Sequence, residues 1–183
     1  DFMKMLSQKT GVRIHIVTHQ NGLHHVVMNS LVDALIFIKR DELSASEYDI
    51  VRKHSAFVVE TYEEAFDLSH KIIALLDQNK KTKVSVSSRK IALPKDTTIP
   101  FDIIDNVIEP LFDEGSFLEF YREMNDKTQG PSLVTGFARL NGETVAVIAD
   151  QPAIMGGAPD APGTEKFRIF TELVSRNKIP LVM

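Results

Sequence analysis

One segment limits the possible folds of this chain more than any other: LVTGFARLNGETVAVIADQPAIMGGAPDAPGTEKFRIFTELVSRNKIPLVM, residues 133–183. Residues 133–140 and 143–150 are rich in Val, Thr, Phe and Ile and read as strands. Asn141-Gly142 between them supplies the two positive-φ positions of a type I′ turn, which makes the pair an antiparallel hairpin. A loop punctuated by Pro152, Gly156, Gly157 and Pro159 follows. The spacing of Phe167, Phe170, Leu173 and Val174 then predicts a helix from about Thr164 to Arg176 that buries those four side chains. "IPLVM" begins another strand. Strand, helix and strand over this distance form a βαβ crossover, parallel and right-handed within one sheet. The class is α/β.

The upstream sequence is patterned in the same way. Phe2, Met3, Met5 and Leu6 share a helical face, and Gly11 is placed to end that helix. "VRIHIVT" at 12–18 and "LVDALIFIK" at 31–39 read as strands, with "NGLHHVVMNS" between them as a loop turning into a short helix or irregular segment. The stretch 41–60 is polar at first and then carries a short strand in "AFVVE". Thr61 and Glu64 form a capping box that opens a helix running to about Gln78. From 79 to 100 the composition shifts to Lys, Ser and Thr with two prolines, as in a linker. "FDIIDNVIEPLFD" is a further helix, bent or ended by Pro110 unless the proline begins a new turn. The expected organisation is therefore one unit at 1–78, a linker at 79–100 and a second unit at 101–183. No internal repeat is visible at the level of residue identity.

Composition removes several functions. The formal charge of −4 comes with no basic stripe, which argues against a nucleic-acid partner. Lys80, Lys81 and Lys83 are the densest cationic run and read as a solvated helix end. There is no cysteine, so disulfides, thiolate zinc sites and a cysteine nucleophile are excluded, and a reducing compartment fits. No apolar run approaches the ~20 residues that span a bilayer, and the first residues do not resemble a signal peptide. A soluble, cytoplasmic protein is expected. The strand pattern at 179–183 leads to the further expectation that the chain is incomplete.

The loop at 151–163 lies at the carboxyl end of a strand, where open α/β arrangements gather ligands. Gly156, Gly157 and Ala158 could aim bare N–H groups into a cleft beside a helix N-terminus. One such donor at a developing oxyanion is worth ~2.7–4 kcal/mol of transition-state stabilisation. On sequence alone a Gly-Gly pair between a strand and a helix is most often only a turn. It is not a phosphate loop, because no Gly-Lys-Ser/Thr follows. Asp150 is expected to cap the turn, since a carboxylate beside an oxyanion site would oppose it. His24 and His25 sit beside Gly22, where a base or hydrogen-bond donor would be useful, but a surface or helix-start role is the commoner one for such histidines. His15 and His19 flank a strand without metal-ligand spacing, and His54, His70 and Arg139 read as structural or exposed. No metal cluster is evident.

At this loop the sequence resembles a known family. "FDEGSFLEF" at 112–120, "LVTGFARLNGETVAVIADQP" at 133–152 and "EKFRIFTELVSRNKIPLV" at 165–182 are similar to the start of the C-terminal half of the β-type carboxyltransferase subunits of biotin-dependent acyl-CoA carboxylases. The related glutaconyl-CoA decarboxylase carboxyltransferases share the pattern. "FVVETYEEAFDLSHKII" at 57–73 is similar to the closing strand and helix of the N-terminal half. The resemblance implies parts of two crotonase-like domains, each a layered spiral of ββα units. It implies CO₂ transfer between carboxybiotin and the α-carbon of an acyl-CoA, with backbone N–H groups stabilising enolate and ureido oxygens. The biotin-side donors would be Gly156, Gly157 and Ala158. On the acyl-CoA side the family's glycine-rich loop is reduced to "QNGLHHVV", leaving Gly22 and Leu23 as donors with His24 beside them. Implied partners are the acyl-CoA thioester, biotin carboxyl carrier and biotin carboxylase subunits, and further copies of the chain. Three alternatives stay open: the decarboxylase direction, a crotonase-type hydratase or isomerase lacking an identified base, and a non-catalytic scaffold subunit.

Overall fold

In the computed structural model, residues 11–18, 27, 31–39, 44–77, 100–122 and 131–183 are described. The expected helix near 2–6, the loop carrying Gly22, Leu23 and His24, the lysines at 80–83 and the linker up to residue 99 lie outside them. The chain divides into two compact units, Asp1–Asp77 and Gln78–Met183. Among the described residues, no helix is long and apolar enough to cross a membrane.

The first unit carries a parallel sheet in the order β1 (Ile14–Val17), β2 (Ala34–Ile38), β3 (Phe57–Val59), with Ile16 opposite Ile36 and Phe37 opposite Val58. Every residue of β2 is buried, as expected of a central parallel strand covered on both faces, and its sequence is accordingly an unbroken apolar run. At its start Asp33, 2% exposed, accepts from Arg13 N at 2.8 Å and from Arg13 Nε and Nη2 at 3.2 Å each. This paired fork locks β1 to β2. Helix α2 (Tyr62–Leu76) follows its capping box, with Glu64 N donating to Thr61 Oγ1 at 3.1 Å, and buries Ala65, Ser69, Ile72, Leu75 and Leu76.

One element here departs from the sequence expectation. Residues read only as polar form helix α1 (Ala45–His54). Val51 is its one fully buried apolar anchor, so the hydrophobic stripe that marks a helix is nearly absent. The available signal was Ser44 three residues before Glu47, a second capping box: Ser44 N donates to Glu47 Oε2 at 2.8 Å, and Glu47 N to Ser44 Oγ at 3.4 Å.

The second unit contains a sheet ordered β4 (Leu118–Phe120), β5 (Leu133–Leu140), β6 (Glu143–Asp150), β7 (Leu181–Val182). β4, β5 and β6 are antiparallel neighbours, and β7 runs parallel to β6. The Asn141-Gly142 hairpin forms as the sequence predicts, with φ of 54° and 80°. Its amides donate to the Asp113 carboxylate at 3.2 and 2.7 Å.

Alternate residues of β5 face opposite layers. Phe137 packs on Phe120 and Phe170 with ring centroids 5.0 and 5.1 Å away. Val134 and Ala138 pack on Ile108 and Phe112 of the unit's opening helix. That helix is a wide π-type turn at Ile104–Ile108 leading into α3 (Glu109–Leu111). The widening has a cause in Pro110, whose ring would collide with the carbonyl four residues earlier in a regular α-helix. Helix α4 (Ala161–Asn177) starts three residues before the expected position because Asp160 Oδ1 accepts from Gly163 N at 2.8 Å, with Pro162 in the first turn.

Candidate functional site

The loop between β6 and α4 leaves the sheet at Gln151, which is 5% exposed. Gln151 N donates to Ser132 O at 2.7 Å and so extends the hairpin by one pair. Its side chain turns to the opening helix: Oε1 accepts from Ile103 N at 3.0 Å and Nε2 donates to Asp102 Oδ2 at 2.9 Å. The other Asp102 oxygen caps that helix through Ile104 N at 2.8 Å. Loop entry and helix start are thus one hydrogen-bonded block.

Beyond Gln151 the chain makes a tight turn with three successive left-handed residues, Met155, Gly156 and Gly157, at φ of 49°, 65° and 82°. Gly157 is required by space as well as by φ, since a Cβ there would lie 3.0 Å from Asp150 Cβ. Met155 holds a conformation unusual for a side-chain-bearing residue and leaves 73% of its surface exposed.

The three amides singled out as donors are not equivalent. Gly157 N donates to Ile154 O at 2.8 Å and Ala158 N to Met155 O at 3.3 Å. In this conformation both are committed to their own turn, because the left-handed run folds the chain back onto its preceding carbonyls. Gly156 N makes no hydrogen bond among the described residues and sits at an exposed position. The loop presents one available amide in place of the expected set.

Other residues also depart from expectation. The Asp150 side chain makes no hydrogen bond to the turn among the described residues; it serves instead as the wall against which Gly157 packs. Phe167, expected in the core, is 40% exposed and borders an apolar groove of about 740 Å³, together with Ile103, Val107, Leu111, Pro159 and Val182. The position Phe167 was expected to fill belongs to Lys166, which is fully buried and donates from Nζ to Leu133 O at 2.7 Å. Burial lowers its ammonium to about 8, partly opposed by the Glu119 carboxylate. The signal for Lys166 was its place four residues before Phe170 and seven before Leu173, on the apolar stripe. Gln151 offered no comparable signal, since its partners are 48 and 49 residues away in sequence.

His15 lies half-buried on β1, His54 ends α1 and His70 is exposed on α2. Gly22, Leu23 and His24 lie outside the described residues. Among the described residues no group of His, Asp and Glu could hold a metal ion.

A mixed sheet between helices, with a glycine turn at a strand tip, defines an α/β protein, and likeness to solved carboxyltransferases makes its fold crotonase-like. Known structures agree with this. A transcarboxylase 12S structure with methylmalonyl-coenzyme A and methylmalonic acid bound superposes with a TM-score of 0.74 at 22% identity, over 98% of this chain and 40% of that one. The chain belongs to the carboxyl transferase domain family, whose pattern it matches over residues 7–183. It is 28% identical over 156 residues to the methylmalonyl-CoA carboxyltransferase 12S subunit of Propionibacterium freudenreichii subsp. shermanii, covering 79% of this chain and 29% of that protein. It is 25% identical over 174 residues to the mitochondrial propionyl-CoA carboxylase beta chain of Sus scrofa, covering 94% of this chain and 27% of that one. The chain therefore spans under a third of the length of these curated relatives.

Proposed function

We propose that the chain is part of a carboxyltransferase that moves CO₂ between carboxybiotin and the α-carbon of an acyl-CoA thioester. The observation that carries this reading is the family match across both units, residues 7–183. In the reaction class, removing CO₂ from one partner leaves negative charge on an oxygen, and adding it to the other needs a stabilised enolate. Carboxybiotin, carried on a partner protein, supplies the CO₂.

This chain's own contribution on the biotin side is the Gly156 N–H, an unencumbered donor of the kind a ureido oxygen accepts. Gly157 and Ala158 hold the turn that presents it. Gly22, Leu23 and His24 are proposed for the acyl-CoA side. The decarboxylase direction uses the same groups in reverse. A biotin carboxyl carrier, a biotin carboxylase subunit and further copies of the chain are the proposed partners, in the cytoplasm.

The test is carboxyl transfer between free biotin and malonyl-, methylmalonyl- or glutaconyl-CoA by the full-length protein. Gly156→Pro removes the donor and, with φ fixed near about −65°, also breaks the left-handed turn, so it is expected to cost at least on the order of 10²–10³ in kcat. Gly156→Ala keeps the N–H and meets no neighbour with its Cβ, so it carries only the strain of a side-chain-bearing residue at φ of 65°, about 1–2 kcal/mol, and its loss of kcat should be far smaller. Full activity in Gly156→Pro takes this loop out of the mechanism.

The self-bonded amides of Gly157 and Ala158 favour one second reading, a non-catalytic subunit that keeps the fold for assembly. Stable oligomers with no turnover of any carboxylated thioester would establish it.

A further inference from the structure

We propose that Lys166 is a positioning residue for the glycine loop, fastening its far end to the same strand start that Gln151 uses for its near end. The geometry is specific. Gln151 N donates to Ser132 O, so residues 132 and 151 form a hydrogen-bonded antiparallel pair. Backbone groups then alternate sides along β5, which turns those of Leu133 toward the β4 edge. The other end of β5 follows the same alternation: Arg139 N donates to Ser116 Oγ at 3.0 Å, and Arg139 O accepts from Asp113 N at 2.8 Å.

At the Leu133 end no strand neighbour remains among the described residues, because β4 stops at Phe120 and Tyr121 turns away with φ of 60°. Lys166 Nζ fills the vacancy from α4. The adjacent carbonyls of Ser132 and Leu133 therefore hold both sides of the segment 152–160, one through a main-chain amide and the other through a buried ammonium. A helix that slid or tilted away from Leu133 would take Asp160 and the turn with it. Burying a charged lysine costs desolvation that a leucine would not incur, and a role of packing alone does not require it.

The hydrogen-exchange arm of the test stands alone; the kinetic arm rests on the carboxyltransferase reading. Full-length wild type, Lys166→Met and a control in the same helix, Val174→Ala, are compared for amide exchange over 151–160 and for carboxyl transfer. Lys166→Met is expected to speed exchange of the Gly157 and Ala158 amides about tenfold or more, while Val174→Ala leaves them near wild type although it lowers Tm. In turnover, Lys166→Met should lower kcat with KM for the acyl-CoA unchanged.

Equal loop exchange in Lys166→Met and wild type overturns the proposal. So does an equal acceleration in Val174→Ala, which would make the effect one of general stability. Should Lys166→Met fail to fold, the wild type still decides. The loop amides and the first turns of α4 should exchange as one cooperative unit, and a loop that opens far more often than the helix ends the argument. A wild type without turnover sinks the carboxyltransferase reading and leaves the exchange result intact.

Discussion

The two units solve the problem of a central strand differently. In the first, β2 lies between two parallel partners, and neither is joined to it by a tight turn. In the second, β5 and β6 are consecutive and closed by two residues, and only β7 arrives by a crossover. The first sheet must therefore gain its stability from contacts distant in sequence, while the second can start from a local hairpin. Both end with a fully buried phenylalanine on a central strand, Phe37 and Phe137.

These phenylalanines give the largest expected effects. Phe37→Ala and Phe137→Ala should each cost about 3–5 kcal/mol, read as a shift in denaturant midpoint at constant m. Phe137→Ala belongs at the upper end, because the Phe120 and Phe170 rings lose their shared partner. A cost for Phe37→Ala of under about 0.5 kcal/mol, the range of surface changes, would mean that β2 is not covered on both faces.

Local closure also decides what the sequence revealed. The Asn141-Gly142 turn, the Thr61 capping box and the βαβ crossover were all legible, because each is written within a short window. Helix α1 was hidden by its thin apolar face, although Ser44 and Glu47 announced it. At the candidate site the position of the loop was legible, whereas the state of its amides was not. Whether Gly157 N points at a ligand or at Ile154 O depends on the backbone rotation of Met155, which no composition rule specifies. Lys166 drew no expectation, because a lysine on an apolar stripe ordinarily carries its charged head out to solvent.

The buried charges sharpen the contrast. Asp33 is met by a bidentate guanidinium, whereas Lys166 donates to a carbonyl and faces Glu119. Burial brings Lys166 down from 10.5 to about 8 in the folded protein. Between those values the unfolded chain binds more protons than the folded one, so stability rises as pH climbs from about 8 toward about 10.5. Below about 8 the lysine is charged in both states and that gain is absent. The rise should be on the order of 3 kcal/mol and should vanish in Lys166→Met, as measured by denaturation across this pH range. An unchanged pH slope in Lys166→Met would show that the ammonium is not held in a desolvated site.

The smallest effects lie at the helix caps. Thr61→Ala and Asp160→Ala should each cost about 1 kcal/mol, since each leaves an N–H of the first helical turn without its side-chain acceptor. They should separate with salt. Thr61 is neutral, and Glu63 and Glu64 remain beside it to complement the helix dipole. Asp160 is itself the charge at the start of α4, whose first turn holds no other acidic residue. Asp160→Ala should therefore exceed Thr61→Ala by about 0.3–1 kcal/mol at low ionic strength, with the excess shrinking toward zero near about 1 M salt. A difference independent of salt would mean that Asp160 acts through its hydrogen bond alone. In that case the start of α4, and the turn it carries, is set by geometry with no contribution from charge.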